Sequence, residues 1–296
     1  ARKRQQIENF GSLLMLEKAL RKIPSADWRD TSPGCSSELF AAVESAQASK
    51  EMRLNMKADS EKQRRFTVVD VGCGSGNLCL PLAYFFRDDT DFVFVDRNPQ
   101  SLNILRTRAE RAGLTNVRVL QFDFTFGKYD DILVGEDVDL VIGLHCCGSF
   151  TDMVMELAVA KNASCVVCPC CNGKVDNRDA QRGGISGAED GTTGEEAGIF
   201  AHSESRSGPP QEPAAIFRPR YPRSEHFSKN CHVTREEYVS QLCRAADDRS
   251  IYFAKCAVEY DRALWAAESA QFRDIFVFKL NPSTCSPKHH VLYLNR

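Results

Sequence analysis

The 296-residue sequence has no apolar run close to the roughly 20 residues that cross a bilayer, so no spanning helix is expected. It also lacks an excess of either charge. Lys and Arg number 38 against 40 Asp and Glu, for a net charge of −2, which argues against a chain that binds nucleic acid through bulk positive charge. Its 13 cysteines lack the spaced framework of a small secreted domain, so reduced thiols and a cytoplasmic setting are expected. There is no initiator Met. The chain starts Ala1-Arg2-Lys3-Arg4, and it is expected to be a piece of a longer protein. A hydrophobic content of 43% and a charged content of 26% are those of an ordinary globular chain, long enough for one large α/β domain or two small ones.

The stretch that carries most information is Val68-Val69-Asp70-Val71-Gly72-Cys73-Gly74-Ser75-Gly76. A β-branched run ends in an acid and feeds a glycine-rich turn, with an apolar helical stretch from Leu78 to Phe86 behind it. Such a strand–turn–helix unit brings backbone close to a ligand at the head of a parallel sheet. A dinucleotide fingerprint needs a third glycine where Asn77 stands, and Asp70 would repel a pyrophosphate. S-adenosylmethionine has no phosphate and carries an ammonium and a sulfonium, which a nearby carboxylate favours. The D-x-G-x-G-x-G pattern therefore reads as an S-adenosylmethionine site.

The downstream chain agrees with this. Phe92 to Asp96 reads as a second buried strand, and Asp96 falls at the spacing of an acid that grips ribose hydroxyls. Asn98-Pro99 reads as a helix cap followed by Pro at the first helical position, and Gly113 as the end of that helix. Val117 to Gln121 is a third strand. Asp123 after it is placed to accept from an adenine amino group, with Phe122 or Phe124 packed on the ring. Asp139 to Leu144 is a fourth strand and Cys165 to Val167 lies in a fifth; Asp274 to Leu280 and Val291 to Leu294 look like a closing pair. Alternation of strands and helices predicts a doubly wound α/β fold, a seven-stranded and mostly parallel sheet with one antiparallel strand. The expected cofactor-binding residues are Asp70, Gly72, Cys73, Gly74, Gly76, Asp96, Arg97, Asp123, Phe124 and Leu144.

Around this core, residues 1–65 read as an N-terminal helical extension. Ile7, Phe10, Leu13, Leu14, Leu16 and Leu20 recur at helical spacing, and packing on the sheet is preferred to a lid over the cofactor. Residues 66–296 form the main domain. It is interrupted at 176–215 by an acidic, Gly/Ser/Pro-rich stretch expected to be a flexible insertion and a possible protein-partner segment. Thr234 and Glu237 form a capping box for a helix reaching about Ala246. Arg218, Arg220 and Arg223, interleaved with Phe217 and Tyr221, suit RNA through phosphate pairing and base stacking, with solvated surface as the plain alternative.

Two cysteine segments, His145-Cys146-Cys147-Gly148 and Cys168-Pro169-Cys170-Cys171, follow strands four and five and should meet at one mouth. Zinc binding, nucleophilic catalysis by a thiolate, and a tight pocket shaped by small side chains all fit the residue types. The third is preferred, with no bound metal expected. His145, Asp152 and Lys174 are the candidate general bases.

These motifs, together with Thr151-Asp152, Asp261 to Glu268 and Cys285-Ser286-Pro287-Lys288, resemble the methyltransferase domain of the glutathione S-transferase C-terminal domain-containing proteins. In looser form, the segments after strands four and five also resemble the tRNA 2′-O-methyltransferase that modifies the acceptor stem. The resemblance implies a Rossmann-like class I methyltransferase fold with S-adenosylmethionine as cofactor. RNA, tRNA in particular, is the expected substrate. A protein methyltransferase and a non-catalytic scaffold are the alternatives.

Overall fold

Apolar runs, largely buried in the five central strands and only partly so in the two edge strands, set the frame. In the computed structural model, which describes residues 2–21, 64–124, 132–171, 219–242, 248–282 and 290–296, they pair into one seven-stranded sheet. The elements in chain order are α1 (Arg2–Leu20), β1 (Phe66–Val71), α2 (Cys79–Phe85), β2 (Thr90–Asp96), α3 (Pro99–Arg111), β3 (Val117–Gln121), β4 (Leu140–Leu144), α4 (Ser149–Ala160), β5 (Ser164–Cys168), α5 (Glu225–Cys231), α6 (Asp248–Glu268), β6 (Asp274–Lys279) and β7 (His290–Asn295). The strand order is β3-β2-β1-β4-β5-β7-β6, and β7 runs antiparallel to both its neighbours. This is the Rossmann-like, mostly parallel sheet expected from the sequence. No described helix is long and apolar enough to cross a membrane.

The pleat divides the sheet's side chains between two cores. Val68, Phe92, Phe94, Leu140 and Val166 pack under α1, α2 and part of α3, whereas Val69, Val71, Val95, Val141 and Val167 pack under α4 and the end of α6. Helix α1 belongs to the first of these. Phe10, Leu13, Leu14 and Leu16 are buried in it, and Glu17, which is fully buried, accepts hydrogen bonds from Ser164 Oγ (2.7 Å) and Tyr293 Oη (2.5 Å). Arg21 pairs with Asp139 just before β4. The helix is thus bolted to the sheet by its own polar residues. The rest of the expected N-terminal extension and the 176–215 insertion lie outside the described residues.

The capping box at Thr234 and Glu237 is present, but the helix it starts is short. Arg235–Glu237 passes into a π-helical turn, Tyr238–Leu242, where the Tyr238 ring is drawn into the interior and its hydroxyl donates to Asp261 Oδ2 at 2.9 Å.

Strand β1 sits between β2 and β4. The chain winds outward to one edge through β2 and β3, then returns to the centre and winds the other way through β4 and β5. Ligands bind such sheets in the crevice beyond the carboxyl ends of the strands at this reversal.

Candidate functional site: the glycine turn and the cysteine mouth

Alternation along β1 sends Asp70 to the same side as Val68, towards α2. Its carboxyl is 2% exposed, the Cys79 thiol hydrogen-bonds to it, and Oδ2 has no partner among the described residues. Burial pushes its pKa up to about 7, with the Cys79 hydrogen bond opposing and the nearby Asp96 charge adding.

The turn beyond it needs its glycines. Gly72, Gly74 and Gly76 have φ of 73°, 53° and 83°, a region that side chains disfavour. A Cβ on Gly72 would lie 2.9 Å from the Phe150 ring, and one on Gly76 2.7 Å from Leu80, whereas one on Gly74 would meet nothing within 4 Å. Gly74 therefore faces open space.

The turn is tied to the end of β2. Gly72 N donates to Val95 O at 2.8 Å and Gly74 N to Asp96 Oδ2 at 2.8 Å, while Asp96 Oδ1 accepts from Asn98 N at 2.9 Å. Each carboxylate oxygen of Asp96 keeps a lone pair for a further donor such as a ribose hydroxyl. Asn98 also caps α3, accepting from Gln100 N and Ser101 N. A cleft of about 500 Å³ opens next to it, lined by Arg97, Asn98, Pro99, Gln100 and Asp123. Of the residues expected to bind cofactor, Arg97 and Asp123 line this cleft. Asn98 is legible in the sequence only as a cap, and nothing there marks Gln100.

Phe124 takes a different place from the one expected. It is 4% exposed, with its ring against Phe122 and Phe150 (centroids 5.1 and 5.7 Å apart), because the chain after β3 turns this apolar side chain into the second core. The partly buried Phe122 is the more open ring. Cys73 and Leu144 are partly buried and pack against the first core.

The segments after β4 and β5 emerge side by side because Leu144 is in register with Cys168. His145 N donates to Cys168 O at 3.0 Å. Residues His145 and Gly148 both have φ of 65°, which turns the intervening pair in opposite directions. Cys146 points inward, 1% exposed, with its Sγ 3.0 Å from Val71 O, while Cys147 points to the mouth. The His145 side chain is exposed there, and partial desolvation lowers its pKa, which favours the neutral imidazole.

Asp152 does not stand free as a base. It is fully buried, with Oδ1 and Oδ2 each 2.9 Å from Arg262, and Oδ2 also accepts from Tyr221 Oη at 2.6 Å; Arg223 lies 3.4 Å from Oδ1. Burial alone would raise its pKa, but Arg262 and the other partners more than offset this and hold it below the usual carboxylate range. Arg262 also donates to Gly148 O at 2.7 Å, so the pair anchors the start of α4 and the cysteine loop.

The same geometry corrects the reading of the Arg-aromatic run. Tyr221 is buried, and the Arg223 side chain, 5% exposed, spans Asp152, Glu156 and the Trp265 ring. Arg220 is exposed. Phe217, Arg218 and Lys174 lie outside the described residues.

The site fits S-adenosylmethionine on these observations: an orphaned carboxylate oxygen for a cation, a glycine turn with open space at Gly74, and an acid with spare acceptors beside a cleft. A family model described as a methyltransferase domain matches residues 39–178. The human glutathione S-transferase C-terminal domain-containing protein is 24% identical over 237 residues, 76% of this chain and 29% of that protein. The chain thus spans about a third of the length of the curated relatives it matches. The uncharacterized protein YbxB of Bacillus subtilis is 35% identical over 71 residues, 24% of this chain and 35% of that one. Among solved structures, a SAM-dependent methyltransferase from Aquifex aeolicus aligns over 81% of this chain and 87% of its own at 15% identity and a TM-score of 0.34. The cofactor of this domain is S-adenosylmethionine.

Proposed function

We propose that this chain, a relative of the glutathione S-transferase C-terminal domain-containing proteins with a methyltransferase domain, transfers the methyl group of its S-adenosylmethionine cofactor to RNA. The cofactor supplies a sulfonium-bound methyl group, which an acceptor lone pair displaces. The observation that carries the reading is Asp70, a buried carboxyl with one unpartnered oxygen directly beneath the glycine turn. A cation held there satisfies that oxygen, and Asp96 and the cleft beside Arg97 and Asp123 hold the uncharged adenosine part. Such a site acts mainly by alignment, bringing the acceptor atom in line with the methyl group.

An RNA acceptor is supported by three features. His145 is exposed at the mouth, where it can take a proton from a ribose hydroxyl. Arg97 is exposed on the wall of the cleft, available to a phosphate. The segments after β4 and β5 resemble those of the tRNA enzyme. The free thiols of Cys147, Cys170 and Cys171 suit the reducing cytoplasm we propose as its setting.

The test is incubation of the chain with methyl-labelled donor and separate RNA, protein and metabolite fractions. Label should enter RNA, chiefly small RNA, and His145→Ala should reduce it. Label confined to protein would move the reading to a protein methyltransferase. Intact donor binding with no labelled fraction would leave a scaffold.

A further inference from the structure

The cysteines at the mouth hold a second arrangement that methyl transfer does not use. The loops after β4 and β5 are laced together by the His145 N to Cys168 O bond and by a longer one, 3.4 Å, from Gly148 N to Cys171 O. With Cys146 and Cys168 both buried, the three remaining sulfurs converge from both loops. The Sγ atoms of Cys147, Cys170 and Cys171 all lie within 4.8 Å of one another, and all three residues are partly buried. The Cys147 and Cys170 sulfurs are 2.8 Å apart, and the Cys170 backbone N–H donates to Cys147 Sγ at 3.2 Å.

Each feature matches what a soft cation needs. Thiolate, not thiol, is the ligating form, and an N–H aimed at sulfur favours it. A tetrahedral zinc with Zn–S bonds of about 2.3 Å places its sulfurs about 3.8 Å apart, a spacing this group reaches through small side-chain rotations. Among the described residues no imidazole or carboxylate joins the three. An ion held here would have three ligands among the described residues, with its remaining position filled by water or another ligand.

We propose that Cys147, Cys170 and Cys171 bind a single zinc ion that clamps the β4 and β5 loops together at the mouth of the sheet. This replaces the expectation of a metal-free pocket, which rested on the awkwardness of adjacent cysteines as chelators. The fold removes one adjacent pair from the site by sending Cys146 and Cys147 opposite ways, so that the adjacent Cys170 and Cys171 are joined by a single sulfur from the other loop. The competing chemistry is a disulfide between Cys147 and Cys170. There two thiols would pass two electrons and two protons to an oxidant such as a glutathione disulfide, and Cys171 would be left unused.

The experiment is elemental analysis of the chain purified without added metal or chelator, followed by cobalt titration and thiol mapping. About one zinc per chain is expected, with thiolate-to-cobalt charge-transfer bands on substitution. Cys147→Ser and Cys171→Ser should each reduce zinc to below about a tenth per chain, whereas Cys231→Ser, at an exposed site on α5, should keep it. Should a serine variant fail to fold, alkylation of the unaltered chain decides. Chelator should expose Cys147, Cys170 and Cys171 together, and zinc should protect them together. A reduced chain that takes up neither zinc nor cobalt overturns the proposal. So does full zinc in Cys171→Ser, or a Cys147–Cys170 disulfide as the only change on chelation. None of these readouts depends on methyl transfer, so the site and the proposed activity fail separately.

Discussion

Replacing Asp70 with Asn tests the donor site without assuming a substrate. In the folded chain burial holds the Asp70 carboxyl at about 7, against an ordinary value of 3.8. The folded state thus binds this proton more tightly than the unfolded chain does. The group's contribution to stability is fully present below about pH 4 and is lost as pH rises through about 7. Three units at about 1.4 kcal/mol each give a total of about 4 kcal/mol, of which about 2 kcal/mol falls between pH 5.5 and 7. In the ligand-free protein, the wild type should lose about that much relative to Asp70→Asn over this window, a difference of several degrees in Tm. The level of the variant's curve carries less information than its slope. A buried amide with unmet hydrogen bonds costs about 1–3 kcal/mol, but does so equally at every pH.

Ligand should reverse the sign. An ammonium against Asp70 keeps the carboxylate ionised, so S-adenosylhomocysteine should stabilise the wild type more at pH 7.5 than at pH 6, with affinity falling about tenfold per unit below pH 7. Asp70→Asn should bind it about 10- to 100-fold more weakly, with no such pH dependence. Thermal melts and calorimetry at four pH values provide the comparison. If Asp70→Asn shows the wild-type pH slope, or binds S-adenosylhomocysteine as the wild type does, the reasoning is refuted.

The central strands could be read from the sequence because burial on both faces writes continuous apolar runs, and the acids at their ends stood out against those runs. Asp70, Asp96 and Asp123 were picked out in this way as candidates, and the structure places them at the head of the sheet. Asp152 and Arg223 were misread for the opposite reason. A charged residue looks solvated unless its partner is known, and the partner of Asp152 is Arg262, 110 positions away on α6. No local period links the two. Glu17 is similar: it sits on a helix correctly read from its leucines, but its place in the core depends on Ser164 and Tyr293. The direction of Cys147 was likewise hidden, because it depends on positive φ at His145 and Gly148 rather than on residue type.

Two further predictions separate structural from ligand-facing residues. Asp152→Asn breaks a buried charge pair and should cost about 3–5 kcal/mol in chemical denaturation, with any loss of activity following unfolding; unchanged stability with lost activity would return Asp152 to the catalytic list. The glycines of the turn give a sharper contrast. At Gly76, Ala would place its methyl 2.7–2.8 Å from Leu80 at φ 83°. Backbone strain of about 1–2 kcal/mol and overpacking of about 1–3 kcal/mol then add to a large loss of stability. At Gly74 the methyl meets no atom within 4 Å, so Gly74→Ala should cost only the strain, about 1–2 kcal/mol. That open space lies beside Gly74 N and the Asp96 carboxylate it holds, where we propose that the cofactor sits. Gly74→Ala should therefore fold and melt close to wild type yet bind S-adenosylhomocysteine weakly in calorimetry. Wild-type affinity in Gly74→Ala would place the cofactor away from this turn.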